Sequence, residues 1–214
     1  MAEASNVDIA NQALSHIGVS KFIANLETEQ SNEARACRTF FNTSRNALIR
    51  DFPWPFATKF AQLGLVSQDP TDEWKFEYAY PADGVRLLRI VTGTPNDNQQ
   101  SRLKFRVIHG TASTTIYANE SPLCMEYVVR LEDTARFPDD LVLALGYRLA
   151  IYIAPRLAKN HQKITPQLFR LYRQELMAAA ANAQNEESLH EEPASEFERA
   201  RGSAGVGGEF FVER

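Results

Sequence analysis

Two pairs of adjacent carboxylates, Glu132-Asp133 and Asp139-Asp140, are the residues of this sequence best suited to acid–base chemistry. Hydrolysis of a glycoside or a phosphoester uses one carboxyl group as the acid and another as the base or nucleophile. The second pair follows Pro138 at the predicted start of a helix, where the helix dipole favours negative charge. The sequence therefore favours a structural use of these acids, and hydrolysis of a glycoside or a phosphoester is the alternative.

Metal binding and nucleophilic catalysis have no support in the spacing of the histidines, serines and cysteines. None of the four histidines has a partner at a recognised ligand spacing, and His190-Glu191-Glu192 lacks the second histidine of a zinc helix. Ser31 and Ser44 lie in no nucleophile elbow. Cys37 and Cys124 are too few for a disulfide scaffold, and we expect both to be buried. The sequence predicts no catalytic residue, no metal and no cofactor.

A row of basic residues, Arg102, Lys104 and Arg106, alternates with the apolar Leu103, Phe105 and Val107. On a strand, this alternation places three cations on one face at a spacing of ~6.8 Å. Such a face could contact phosphates, pair with acids of a neighbouring chain, or simply be solvated. Because the chain has 23 Lys and Arg against 27 Asp and Glu, a monomeric DNA-binding module is a less favoured third function.

The first part of the sequence predicts two helices. Val7, Ala10, Leu14 and Ile17 recur at helical spacing before Gly18, and Ser31 can cap a second helix. The apolar face of the second helix is formed by Ala34, Cys37, Phe41, Ser44 and Leu48. The segment Phe52-Pro53-Trp54-Pro55 must end it. We expect Trp54 to pack in the core, and an intersubunit contact is the alternative.

The middle of the sequence has the two-residue period of β-strands. Phe76, Tyr78 and Tyr80 alternate with polar or small residues, and five strands are predicted in all. Their approximate bounds are 76–80, 85–92, 103–108, 114–117 and 123–129. We expect antiparallel pairing, because no connection is long enough for a helical crossover.

Two further helices are predicted after the strands. The first begins at Asp139-Asp140, runs to about Ile153 and is apolar on nearly every side, interrupted by Arg148. It must be buried in a bundle or against a neighbouring subunit, and it is too short for a bilayer. Thr165-Pro166 predicts the start of the last helix. With no signal peptide recognisable, we expect a soluble protein that matures in reducing cytoplasm.

The last 29 residues, 186–214, predict a flexible arm. Six glutamates and no Lys or Arg lie in 186–198, and without them the formal charge of the chain changes from −4 to +2. Four of the ten glycines follow. Phe210, Phe211 and Val212 then form an apolar tip, which we expect to bind a partner.

These elements predict an α+β fold, in which helices from both ends of the sequence form one bundle and an antiparallel β-rich region is inserted between them. The predicted divisions are 1–70 for the N-terminal helical part, 71–132 for the β-rich region, 133–185 for the closing helical pair and 186–214 for the arm.

Three segments, in this order, resemble the tail tubular protein A-like head-to-tail adaptors of tailed bacteriophages. ANQALSHIGVSKFIANLETEQSNEARACRTFFNTSRNALIRDFPWPFAT is similar to the N-terminal helices and Trp-containing turn of that family. WKFEYAYPADGVRLLRI is similar to its Tyr-x-x-Pro-x-Asp strand pair. FPDDLVLALGYRLAIYIAPRLAKNHQKITPQLFRLYRQELMAAAANA is similar to its closing helical pair. The resemblance covers about residues 6–185.

The resemblance implies a structural protein of the virion with no enzymatic activity. Members form a ring, usually a dodecamer, between the portal protein and the tail nozzle protein, and DNA passes through the lumen without specific binding. The implied location is the head–tail junction of a virion whose proteins are made in the host cytoplasm. In such a ring we expect the apolar tip Phe210, Phe211 and Val212 to bind the portal, and the intersubunit contacts to include Trp54, Arg102, Lys104, Arg106 and Arg148.

The alternative function is a tail-associated, cell-wall-degrading glycosidase, with Glu132, Asp133, Asp139 or Asp140 as its carboxylates, because some phage tail-associated adaptors carry such activity.

Overall fold

The computed structural model describes residues 5–92, 103–111 and 113–185, which form four α-helices and seven β-strands. The helices are α1 (Asn6–His16), α2 (Asn32–Asp51), α3 (Asp139–Leu157) and α4 (His161–Asn185). The strands are β1 (Thr58–Gln62), β2 (Leu65–Thr71), β3 (Trp74–Ala79), β4 (Gly84–Thr92), β5 (Phe105–His109), β6 (Thr114–Ala118) and β7 (Leu123–Val129). The fold is α+β, as predicted.

Helix α3 is the centre of a four-helix bundle. It packs against α1, α2 and α4, and Leu141, Leu145, Leu149 and Ile153 are buried along it. Most of the apolar surface of α3 is therefore buried by helices of the same chain, as one of the two predicted explanations requires, while Tyr152 on α3 is 42% exposed. A contact of α3 with a neighbouring subunit stays a prediction. Within the described ranges, no helix combines the length and apolarity needed to cross a membrane.

The predicted ends of the first two helices are confirmed. Gly18 has a φ of +76° just after α1, and its amide donates to the carbonyl of Ser15 at 3.0 Å. This left-handed conformation is the usual way for a glycine to end a helix. At the start of α2, the Ser31 hydroxyl accepts a hydrogen bond from the amide of Ala34 at 3.2 Å.

The predicted start of α4 is wrong by one helical turn. The helix begins at His161, and the Asn160 carbonyl accepts from the amides of Lys163 and Ile164 at 3.0 and 3.3 Å. Pro166 lies inside the first two turns and is exposed to solvent. It is tolerated there because a proline near the start of a helix removes only one backbone hydrogen bond.

Seven antiparallel strands form two sheets. The three-stranded sheet has the order β1-β7-β4 and the four-stranded sheet has the order β2-β3-β6-β5. At Gly64 the chain passes from one sheet to the other: the Leu63 amide donates to Leu123 at 2.8 Å, and the Gly64 carbonyl accepts from Ala79 at 2.9 Å. Pairing is in the predicted antiparallel sense, with Thr58 opposite Val128 in the first sheet.

Strands β1 and β2 were not predicted, so the β-rich region begins at Thr58 and the boundary at residue 70 is wrong. Most side chains of both strands are exposed, and their sequences lack the alternation of apolar and polar residues that predicts a half-buried strand. β2 also contains Pro70, next to Asp69 with a φ of +48°. Their strand conformation follows from pairing with β7 and β3.

Strand β7 joins the two hydrophobic cores of the molecule. Met125, Tyr127 and Val129 lie in a core built from both sheets, whereas Val128 contacts the core of the helical bundle. Because both faces of β7 are buried, the inserted sheets and the bundle pack against each other along it.

Candidate functional site

Trp54 lies in the core and does not reach the surface. Its side chain is 1% exposed, and its Nε1–H donates to the Leu48 carbonyl at 3.1 Å. Its ring lies 4.9 Å from that of Phe52 and 6.2 Å from that of Phe56, centre to centre. The indole therefore closes the turn from α2 into the sheets, and the prediction that Trp54 contacts a neighbouring subunit is wrong.

Arg148 also makes its contacts inside the chain. Its Nη1 donates to a carboxylate oxygen of Asp51 and, at 2.6 Å, to the hydroxyl of Tyr172. The same hydroxyl donates to Asp51 at 3.1 Å, and the guanidinium carbon lies 5.4 Å from the centre of the Tyr172 ring. These three residues, the Arg148 cluster, link α2, α3 and α4. The contact of Arg148 with a neighbouring subunit stays a prediction, but the guanidinium is already held within the chain.

The charges of the Arg148 cluster stabilise one another. Burial raises the pKa of Tyr172 to about 12, so its hydroxyl is a neutral donor at physiological pH. Burial by itself would lower the pKa of Arg148, but the hydrogen bond to Asp51 and the neighbouring oxygens raise it overall. A paired cation in this position ties three helices together, which is a structural role.

The predicted basic face is present in part. Lys104 and Arg106 are exposed beside and on β5, while Leu103 and Val107 pack against the core of the sheets. Phe105 was predicted on the apolar side but is 40% exposed, because β5 is the last strand of its sheet in the described chain. Arg102 and the tip residues Phe210, Phe211 and Val212 lie outside the described residues.

Two of the four carboxylates considered for hydrolysis, Asp133 and Asp140, have local structural uses. The Asp133 side chain accepts from the Ala135 amide at 3.1 Å. Asp140 accepts from the Leu141 amide at 2.8 Å and from the side chain of Asn182 at 3.1 Å. Among the residues described, no group of three or more His, Cys, Asp or Glu side chains is arranged to hold a metal ion.

A cleft of about 650 Å³ lies where the two sheets meet. β4 and β5, the last strands of their sheets in the part of the chain that the structure describes, form its walls. Arg50 at the end of α2, Arg86 on β4 and His109 on β5 line it, and no carboxylate of the described residues does. We call this cavity the seam cleft.

Two local contacts orient the polar groups of the seam cleft. Arg86 Nη1 donates to the Arg50 carbonyl at 3.2 Å, at the negative end of the α2 dipole. His109 Nδ1 lies within hydrogen-bonding distance of the Thr114 hydroxyl, at 3.1 Å. Burial raises the pKa of Tyr80, although the positive charge of Arg50 partly lowers it. The guanidinium group of Arg86, oriented by its hydrogen bond to the Arg50 carbonyl, suits a carboxylate or phosphate group.

Sequence analysis missed the seam cleft and also the burial of Arg45. Arg50, Arg86 and His109 are far apart in the sequence and share no motif, so no local sequence signal pointed to this site. Arg45 is 5% exposed and donates to the Glu132 carbonyl at 3.0 Å. It joins α2 to the segment that follows β7.

Large apolar side chains of the described residues are exposed at several places, and two groups of them lie on β1–β2 and on α4. The others are Phe22, Phe105 and Tyr152. On the connection between the sheets, Phe60 and Val66 are 61% and 56% exposed. On α4, Met177 is 63% exposed, and Phe169 is also exposed. Single exposed apolar residues are common on protein surfaces, whereas groups of them mark contact surfaces.

Comparison with known protein families finds no match for this sequence, and no curated protein is significantly similar to it.

Proposed function

We propose that this chain is a head-to-tail adaptor of a tailed bacteriophage, which forms an oligomeric ring between the portal and the tail nozzle around the DNA channel. The proposal rests on the resemblance of three segments to the tail tubular protein A-like family. The order of the elements supports it: two helices and an aromatic turn, then antiparallel strands, then two closing helices.

The exposed apolar residues at two separate places are the observation that carries the proposal. A closed ring uses heterologous contacts, in which one surface of a subunit meets a different surface of the next. Phe60 and Val66 would supply one surface, and Phe169 and Met177 the other. The burial of α3 gives no support, because helices of the same chain satisfy it.

Electrostatic contacts would add orientation to these apolar surfaces. Lys104 and Arg106 are exposed at the edge of the four-stranded sheet, and Asp69 is exposed on β2 at its other edge. Opposite charges at opposite edges of one sheet suit a head-to-tail arrangement. The tip residues Phe210, Phe211 and Val212 would bind the portal.

The test of ring formation is a mass measurement of the purified full chain, with and without the portal protein of the same phage. Twelve copies of the 24.1-kDa chain give about 290 kDa, and negative-stain images would show an annulus. A protein that stays monomeric with the portal present would refute the proposal, as would turnover of peptidoglycan by the monomer.

Charge substitutions test the two apolar surfaces separately. Phe60→Glu and Met177→Glu should each prevent ring closure, while Gln62→Glu and Gln174→Glu, exposed on the same elements, should not. Each variant keeps one intact surface, so an equal mixture of the two should form dimers and nothing larger. Full rings from either variant would exclude that surface as a contact.

The portal contact is tested on the arm. Deletion of 202–214 should abolish binding to the portal and leave the fold intact. Replacing Phe210, Phe211 and Val212 with serine is the control for the length of the arm and should have the same effect. Undiminished portal binding by either variant would refute this role.

A further inference from the structure

Among the described residues, the lining of the seam cleft carries positive charge and no carboxylate. Arg50 and Arg86 line it with His109, and the only partner that the structure gives the Arg86 side chain is a backbone carbonyl. Two strands that end their sheets form its walls, so backbone donors and acceptors of β4 and β5 also border it. These features select an extended, acidic peptide.

We infer that the seam cleft binds the acidic segment of the same chain, residues 186–198. This segment carries six glutamates and no Lys or Arg. Guanidinium groups bind carboxylates through paired, charge-assisted hydrogen bonds. The lining of the cleft and the composition of the segment are therefore complementary in charge.

The path along the chain allows this contact within one copy. The Arg130 amide donates to the Asp83 carbonyl at 2.7 Å, beside Gly84 in the cleft, and Asn182 near the end of α4 donates to Asp140 at 3.1 Å. The chain from Arg130 to Asp140 spans at most ~33 Å even if fully extended. The 13 residues of the segment can span ~43 Å, which exceeds this upper limit. The segment is therefore long enough to reach the cleft from the end of α4.

Tethering makes weak ion pairs sufficient. Each exposed pair between an arginine and a glutamate is weak and screened by salt. The segment follows α4 directly, however, so its effective concentration at the cleft is on the order of millimolar. Binding within one copy does not require a ring, so this inference and the proposed function can fail independently.

Zero-length cross-linking of the full chain tests the inference. Arg86→Lys keeps the positive charge in the cleft and introduces an amine that a carbodiimide can join to a glutamate of 186–198. Lys75, exposed on β3 of the other sheet, is the matched control. Lys59, which lies two strands from Leu87 on the same sheet, ~10 Å away, is a second control; its amine is already paired with the Asp83 carboxylate at 3.0 Å, which competes for the reaction.

We expect the introduced lysine to give at least about fivefold more cross-linked peptide than Lys59 or Lys75, in a product of monomer size. Adding Arg50→Gln should reduce this yield at least about twofold. About 0.5 M NaCl, where the Debye length is roughly 4 Å, should reduce the yield by a similar factor. This measurement needs no second substitution.

Three results would overturn the inference. The first is an equal yield at the introduced lysine and the control lysines. The second is a yield that neither salt nor Arg50→Gln lowers. The third is a product of dimer size, which would mean that residues 186–198 of a neighbouring copy bind in the cleft. A monomer-sized product from a protein that forms no ring would support the inference and refute the proposed function.

Discussion

The coupling between Tyr172 and Arg148 can be measured by a double-mutant cycle. Tyr172→Phe removes a hydroxyl that accepts from Arg148 at 2.6 Å and donates to Asp51 at 3.1 Å. A hydrogen bond to a charged group contributes ~1.5–3 kcal/mol. The loss should lie at the lower end of this range, because the ion pair between Arg148 and Asp51 remains and water can reach the Asp51 carboxylate. We therefore expect Tyr172→Phe to lower the free energy of unfolding by about 1.5 kcal/mol.

Arg148→Met removes the charge and keeps most of the apolar stem. Breaking a buried ion pair costs ~3–5 kcal/mol, but the side chain of Asp51 is 41% exposed, against 15% for Arg148. Solvent screening at Asp51 reduces the expected loss to about 2 kcal/mol. Because the two residues share one network, the double variant should lose about 2.5 kcal/mol, which leaves a coupling of roughly 1 kcal/mol.

Urea unfolding followed by circular dichroism measures all four corners of the cycle. Tyr147→Phe is the control, because Tyr147 lies on α3 and phenylalanine keeps its ring stacked on His16; it should change stability by less than ~0.5 kcal/mol. Losses that add to within ~0.3 kcal/mol would refute the reasoning, because the hydroxyl and the guanidinium would then act independently.

Three other predictions concern titration and packing. The pKa of Tyr172, raised by burial to about 12, means that its stabilising effect is present below pH ~10 and is lost as the pH rises toward 12. Tyr172→Phe should therefore flatten the alkaline fall in unfolding free energy, and an unchanged slope would contradict the assignment. Burial lowers the pKa of His16, whose Nε2 is buried without a partner and whose ring stacks on Tyr147 at 4.1 Å. The unfolded chain then takes up this proton first, so stability falls as the pH drops below ~6.5; His16→Phe keeps the stacking and should reduce that fall in urea titrations at acid and neutral pH. A Cβ at Gly84 would lie 2.7 Å from the Tyr80 ring and 3.1 Å from the Pro81 carbonyl, whereas a Cβ at Gly64 would contact nothing. Gly84→Ala should cost ~1–3 kcal/mol in thermal or urea unfolding and Gly64→Ala much less; equal effects would show that the ring moves aside freely.

Much of the secondary structure was predictable because it is encoded in local periodicity. The face of α2 that contains Cys37 and Phe41 is buried as its spacing predicted, and β7 has the predicted bounds, Leu123–Val129. Gly18 and Ser31 mark helix ends through backbone conformation and a single side-chain hydrogen bond. Such signals act within a few residues, so one sequence is enough to find them.

The roles of individual side chains depended on residues distant in the sequence. The sequence around Trp54 does not show that its side chain lies in the core. The sequence around Arg148 likewise does not show that it binds Asp51 and Tyr172. The seam cleft likewise exists only because β4 and β5 end neighbouring sheets.

The sequence by itself determined the α+β class, the bundle of flanking helices and the acidic character of residues 186–198, because composition and short-range spacing carry these properties. Only the tertiary structure decided that Thr58–Gln62 is a strand, through its pairing with β7, and which arginines are buried and which line a cleft. Pairing and burial depend on what packs against a segment from elsewhere in the chain, and local sequence does not encode that.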